Sequence, residues 1–163
     1  MVTSNNEKVI TELGTLGEQL VAEYLTIIGK KVILSDNIYD PEKDMLVDGE
    51  KVEVKTETPY VTRNALTVRA NQLEKIMGSY RTYWISVPFK LYGKEDKYGG
   101  YIFEMDPKGA EYFRFRKDEP TEKLGYRDMV GFERNQPAMK PIARITCKKT
   151  LAKLRKLSST KYG

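Results

Sequence analysis

The chain has 163 residues, 40% of them hydrophobic and 31% charged, which is the balance of a soluble globular protein and not of a disordered one. It contains no histidine and one cysteine, so catalysis by histidine, imidazole zinc sites and cysteine metal clusters are excluded. The N-terminus lacks a signal-peptide pattern, and no apolar run reaches membrane-spanning length. Together with the lone cysteine, these features predict a cytoplasmic protein, of either phage or host origin.

The first predicted element is a helix over about residues 5–28. Gly29 ends this helix, Gly17 would let its backbone approach another element closely, and Glu18 lies beside its polar side. Its apolar residues fall at helical spacing and form one stripe: Ile10, Leu13, Leu16, Leu20, Val21, Tyr24, Leu25 and Ile28.

After a short strand over residues 32–34, Asp48-Gly49 predicts a β-hairpin. Both central positions of a type I′ turn need positive φ, which aspartate and glycine tolerate. The turn sets the register, and residues opposite each other share a face of the sheet. The predicted pairs are Val47 with Glu50, Leu46 with Lys51, Met45 with Val52, and Asp44 with Glu53.

This register brings Asp44, Glu53 and Lys55 to one face of the hairpin. The other face is apolar and suits packing against the first helix. Two adjacent carboxylates repel unless a cation lies between them, and oxygen ligands favour Mg²⁺ or Mn²⁺. The alternative is a cross-strand salt bridge in which Lys55 neutralises Glu53. Among the other aspartates, Asp48 suits the turn better than a site.

The next elements predict a compact α/β core. Residues 65–68 are a short strand, 71–77 a short helix, and 82–87 a buried strand, so the helix can serve as a crossover between strands. Residues 90–100 are predicted to be a charged loop and 100–104 a strand. Residues 118–141, with three of the seven prolines, are predicted to be irregular.

Positive charge is concentrated at the C-terminus. The net charge is +5, yet residues 140–163 hold eight basic residues and no acidic one. Residues 146–157 are predicted to form a basic amphipathic helix that meets a polyanion, with a solvated helix face as the alternative. Residues 111–116 alternate aromatic and basic side chains, which is typical of nucleic-acid surfaces and also of an edge strand. The candidate nucleic-acid contacts are Arg114, Arg116, Lys148, Lys149, Lys153, Arg155 and Lys156.

Three motifs together resemble a known superfamily. They are Gly17-Glu18-x-x-Val21-Ala22-x-Tyr24-Leu25 on a helix, Asp44 at the start of a strand, and Glu53-Val54-Lys55 on the next strand. This combination resembles the PD-(D/E)xK nuclease superfamily, and within it the Holliday-junction-resolvase-like and restriction-endonuclease-like members. The resemblance covers about residues 9–88. It implies an α/β, restriction-endonuclease-like core with a mixed central sheet flanked by helices.

The resemblance also implies roles for five residues. Asp44 and Glu53 are expected to be metal ligands, Lys55 to lie beside the attacking water, Glu18 to support the metal from the helix, and Gln72 to be a polar residue near the site. An alternative for Gln72 is a surface position at the start of a helix.

The sequence therefore predicts a Mg²⁺- or Mn²⁺-dependent DNA endonuclease. Its substrate stays open between junction or branched DNA, a specific duplex site and a single-stranded end. The alternative is a non-catalytic nucleic-acid-binding protein on a nuclease-like core. A single domain over 1–163 is expected, with a core over about 5–105 and a C-terminal extension over about 106–163. DNA is the expected partner, a membrane is not, and the resemblance implies a possible homodimer.

Overall fold

A mixed six-stranded sheet forms the centre of this α/β protein. The structure is a computed structural model and describes residues 2–34, 45–115 and 128–162. In these ranges there are three α-helices: α1 (Val2–Ile27), α2 (Leu73–Gly78) and α3 (Lys148–Tyr162). The strands are β1 (Val32–Leu34), β2 (Met45–Val47), β3 (Glu50–Glu57), β4 (Ala65–Arg69), β5 (Arg81–Ser86), β6 (Lys90–Leu91), β7 (Lys94–Glu95), β8 (Tyr101–Met105), β9 (Phe113–Arg114), β10 (Met129–Glu133) and β11 (Met139–Arg144).

The central sheet has the strand order β1-β2-β3-β5-β8-β11. Strands β3 and β5 are parallel, and the other neighbours in this sheet are antiparallel. A second sheet has the order β4-β10-β9, and β6 pairs with β7 in a small hairpin. The predicted mixed central sheet is confirmed, and α2 lies in the crossover between the two parallel strands.

The predicted hairpin register is confirmed wherever the structure describes it. Met45 pairs with Val52, and φ is 50° at Asp48 and 83° at Gly49, as a type I′ turn requires. The Asp48 carboxylate also accepts a hydrogen bond of 2.9 Å from the backbone N–H of Lys31. Asp48 therefore stabilises the turn and its connection to β1.

Side-chain alternation along β3 separates two hydrophobic cores. Val52 and Val54 face α1 and α3, where the first core also contains Leu25 from α1 and Leu154 from α3. The opposite face belongs to the second core, in which Trp84 packs with residues of α2, β8 and the second sheet. The central sheet is therefore covered on both faces, as a central parallel pair requires.

The first helix packs on the apolar face of the hairpin, as predicted. Val21 and Leu25 are buried, whereas Ile27 and Ile28 at its end are exposed, so the stripe stops short of Ile28. Gly17 provides the expected close approach, because a Cβ there would overlap the hydroxyl of Thr56 on β3. No helix in the described ranges is long and apolar enough to cross a membrane.

Two sequence-based expectations for the second half of the chain were wrong. The predicted loop over 90–100 contains the β6–β7 hairpin, and the predicted irregular segment contains β10 and the first half of β11. In β10, Gly131 leaves room for the ring of Phe113, and β11 accommodates Pro141 beside a register shift at the edge of the sheet. Glycine and proline normally argue against a strand, and here packing and edge position permit them.

Candidate active site

The side chain of Lys55 is fixed by two polar neighbours. Its Nζ donates a hydrogen bond of 2.9 Å to Oε1 of Gln72 and lies 3.8 Å from Oε2 of Glu53. The side chains of Lys55 and Glu53 are only 18% and 13% exposed. Two of the predicted catalytic residues are thus in an ion pair, and a third holds the ammonium group in place.

The sheet and the crossover together create this arrangement. Glu53 and Lys55 are two residues apart on β3, so both side chains project from the same face. The next strand places Trp84 beside Lys55 in the parallel register. Gln72 lies in the short 3₁₀ turn before α2, and the crossover carries it back over β3. Gln72 is therefore part of the site and not merely a surface residue at the start of a helix.

Burial lowers the pKa of Lys55 below the ordinary lysine value, and surrounding charges modify this effect. The carboxylates of Glu53, Glu57 and Glu18 raise this pKa, and the ammonium of Lys75 lowers it. Glu18 of α1, which packs on the other side of β3, has the smallest of these effects. The largest opposing effect comes from Glu53, the ion-pair partner of Lys55.

The position of Asp44 lies outside the described residues, as does that of Arg116. Met45, the next residue, pairs with Val52, so one further step of the same ladder would place Asp44 opposite Glu53. That pairing stays a prediction. Within the described residues, no three acidic or cysteine side chains form a group able to hold a metal ion.

The donor set itself suits a hard divalent cation. Glu53 and Glu18 offer carboxylate oxygens, the ligand type that Mg²⁺ and Mn²⁺ prefer. The three glutamates that raise the pKa of Lys55 also outnumber the one lysine that lowers it. A magnesium or manganese ion would need a further ligand besides these two carboxylates, and that role of Asp44 stays a prediction.

The predicted nucleic-acid contacts lie in two other places. Arg114 is on β9 in the second sheet, where it forms an ion pair of 3.7 Å with Asp128. The basic residues of α3 are exposed: Lys148, Lys149, Lys153, Arg155 and Lys156. Helix α3 packs with α1 through the first core, so these residues do not join the Lys55 site. The predicted helix at 146–157 is confirmed, shifted to Lys148–Tyr162.

Sequence inspection missed three residues near the site. The Trp84 Nε1 atom and the Asn71 Oδ1 atom are buried and have no hydrogen-bond partner among the described residues. Trp84 pairs beside Lys55 and Asn71 precedes Gln72. The charge of Glu57 also raises the pKa of Lys55. Glu57 follows Lys55 by two residues on the same strand, and this spacing, visible in the sequence, predicts that both side chains share a face.

Comparison with known proteins does not extend this description. No family model, curated protein or solved structure matches the chain. The fold and site define a mixed α/β protein with a partly buried lysine held between a glutamate and a glutamine.

Proposed function

We propose that the protein is a Mg²⁺- or Mn²⁺-dependent endonuclease that hydrolyses phosphodiester bonds in DNA, on a restriction-endonuclease-like core of the PD-(D/E)xK type. The observation that carries this proposal is the Glu53–Lys55–Gln72 constellation, with an ion pair of 3.8 Å and a hydrogen bond of 2.9 Å. Gln72 comes from another element and fixes the position of this Nζ, as the orientation of an attacking water by Lys55 would require.

The surrounding topology supports the same proposal. The hairpin β2–β3 is followed by a crossover through α2 to the parallel strand β5. Helix α1 packs on the apolar face of β3 and contributes Glu18, whose charge acts on Lys55. This order of elements supports the resemblance over residues 9–88, in which the role of Asp44 stays a prediction.

The chemistry follows from the charges and the burial of the site. Asp44, Glu53 and Glu18 are the residues that would hold the metal, which when bound supplies a polarised phosphate and a water of lowered pKa. The Lys55 ammonium donates hydrogen bonds toward the phosphate oxygen on which negative charge develops, and orients the attacking water. Gln72 keeps the ammonium in position, and the low exposure of Lys55 strengthens its electrostatic effect.

Further parts of the proposal concern the surroundings of the enzyme. The exposed basic residues of α3 give phosphate contacts that position DNA without reading its sequence. We infer a cytoplasmic setting from the single free cysteine. Junction or branched DNA as the substrate, and a homodimer as the assembly, follow from the resemblance alone.

A nicking assay on supercoiled, branched and linear DNA tests the proposal. Cleavage is expected with Mg²⁺ or Mn²⁺ and not with EDTA. Lys55→Met keeps the apolar stem and removes the charge, and we expect it to lower the rate about 10²- to 10³-fold. Asp44→Ala should also abolish cleavage. Lys51→Met is the matched control, because Lys51 lies on the same strand and the same face as Lys55 but outside the Glu53–Lys55–Gln72 group. Full activity of Lys55→Met would refute the catalytic role of Lys55.

A second candidate is a nucleic-acid-binding protein without catalytic activity. The observation that favours it is the Glu53–Lys55 ion pair itself, in which each charge already has a partner. Such a protein would bind DNA equally well in Mg²⁺ and in EDTA and would never nick it. The same nicking assay, run beside a binding assay, separates the two functions.

A further inference from the structure

Two adjoining cavities lie between α3 and the segment that follows β5. Their volumes are about 380 Å³ and about 440 Å³. They share four lining residues, Pro88, Phe89, Lys90 and Arg155, and are here together called the α3 cleft. Arg144 and Lys148 line one cavity of this cleft, and Thr58 lines the other.

The cleft divides the basic residues of α3 into two groups. The helix residues that line it recur at helical spacing, so they form one stripe along α3. They are Lys148, Leu151, Ala152, Arg155, Ser158 and Ser159. Lys149 and Lys153 are exposed on a different stripe and line neither cavity. Only part of the basic helix therefore faces the groove.

The acidic side chains of the cleft are already neutralised. Glu95 pairs with Lys90 at 3.8 Å. Asp96 accepts two hydrogen bonds from the buried guanidinium of Arg134, at 2.6 and 2.9 Å. Neither carboxylate is left to compensate further positive charge in the groove.

Three basic side chains of the cleft remain for a ligand. Arg144, Lys148 and Arg155 form no ion pair with a carboxylate in the part of the chain that the structure describes. The guanidinium of Arg144 lies over the Tyr101 ring, 5.7 Å from the ring centroid. Guanidinium and ammonium groups bind phosphate oxygens strongly. The cleft thus presents phosphate-binding groups beside an aromatic side chain, Phe89.

The cleft begins close to the Lys55 site along the chain. Thr58, whose hydroxyl hydrogen-bonds with that of Ser158 on α3, follows Lys55 by three residues. At a rise of about 3.3 Å per residue, three residues of extended chain span about 10 Å.

We infer that the α3 cleft binds a single-stranded segment of nucleic acid, with its phosphates on Arg144, Lys148 and Arg155 and a base against Phe89. A cavity in the range of about 300 to 1,000 Å³ holds a small ligand, which corresponds to about one or two nucleotides and not to a duplex. Aromatic stacking with backbone contacts from basic side chains is the usual way in which proteins bind single strands. The position of this segment beside the cut rests on the proposed function, whereas its binding does not.

Fluorescence anisotropy in EDTA tests the inference without any cleavage. The probes are a labelled oligothymidylate and a labelled hairpin duplex of the same total length. Lys148→Gln with Arg155→Gln alters the cleft, and Lys149→Gln with Lys153→Gln is the matched control with the same loss of charge on the same helix. Each lost contact to a single strand removes about 0.7 from the salt slope, so two lost contacts weaken binding about 25-fold at about 0.1 M salt.

We expect that loss for the cleft pair on the single strand. The control pair removes two of the exposed lysines that the proposed function assigns to phosphate contacts, so it should weaken single-strand binding less than the cleft pair does, and should weaken single-strand and duplex binding alike. Equal losses for both pairs would show diffuse attraction and overturn the inference, as would equal losses of the cleft pair on single strand and duplex.

Phe89→Leu provides a second, uncharged variant. Loss of one stacked base should weaken single-strand binding about tenfold and leave the salt slope unchanged; unaltered affinity would exclude stacking in the cleft.

These measurements stay separate from the nicking assay. If the wild-type protein never nicks DNA while the cleft pair loses single-strand affinity, the proposed function fails and the cleft assignment stands. If nicking occurs and both variant pairs bind single strands alike, the proposed function stands and the cleft assignment fails.

Discussion

Two glycines on the same helix allow a controlled test of how α1 is held against the sheet. A Cβ added at Gly17 would overlap the Thr56 hydroxyl and lie 3.4 Å from Cδ1 of Ile85. A Cβ added at Gly14, one turn earlier, would meet nothing within 4 Å. Substitution of each by alanine therefore makes the same chemical change in a crowded and in an open place.

The two substitutions are expected to change the free energy of unfolding by different amounts. Replacing glycine by alanine inside a helix stabilises it by about 1 kcal/mol, and Gly14→Ala should show this gain. Overpacking of a filled interface costs about 1 to 3 kcal/mol, so Gly17→Ala should be less stable than Gly14→Ala by about that amount.

Urea unfolding followed by the fluorescence of the buried Trp84 gives these stabilities. Thr56→Ala removes the overlapping hydroxyl, so adding Gly17→Ala in that background should cost at least 1 kcal/mol less than in the wild type, on the order of the overpacking term. Because Glu18 and Lys55 adjoin the two contacting residues, cleavage should fall for Gly17→Ala and not for Gly14→Ala. Equal stability of both single variants would refute the close contact.

Two further predictions concern other parts of the molecule. Arg134→Met breaks the buried pair with Asp96, and we expect the free energy of unfolding to fall by about 3 to 5 kcal/mol. Arg63→Met breaks a more exposed pair and should lower the free energy of unfolding by about 1 kcal/mol or less. Similar urea midpoints for the two variants would contradict this prediction. Hydrogen bonds from Thr150 lower the pKa of the exposed thiol of Cys147, so its alkylation should reach half its maximal rate at a lower pH than that of free cysteine. Thr150→Val should move this midpoint upward, and an unchanged midpoint would argue against the hydrogen bond.

The sequence alone determined the features that depend on local conformation. Asp48-Gly49 specified a type I′ turn, and the period of two along β2 and β3 then fixed which side chains share a face. The apolar stripe of α1 predicted its packing side because helical periodicity is written into neighbouring residues. Glu53 and Lys55 were therefore identified together, since their proximity needs only an extended strand.

Only the tertiary structure determined which residues from distant segments contact one another. The contact of Gln72 with Lys55 depends on how the crossover folds back over β3, and the influence of Glu18 depends on α1 crossing the sheet at Gly17. Likewise, the division of the basic residues of α3 into a cleft stripe and a free stripe appears only once the segment after β5 packs beside the helix. The physical reason is that residue periodicity encodes the orientation of a side chain within its own element, whereas its neighbours across the fold are set by packing between elements.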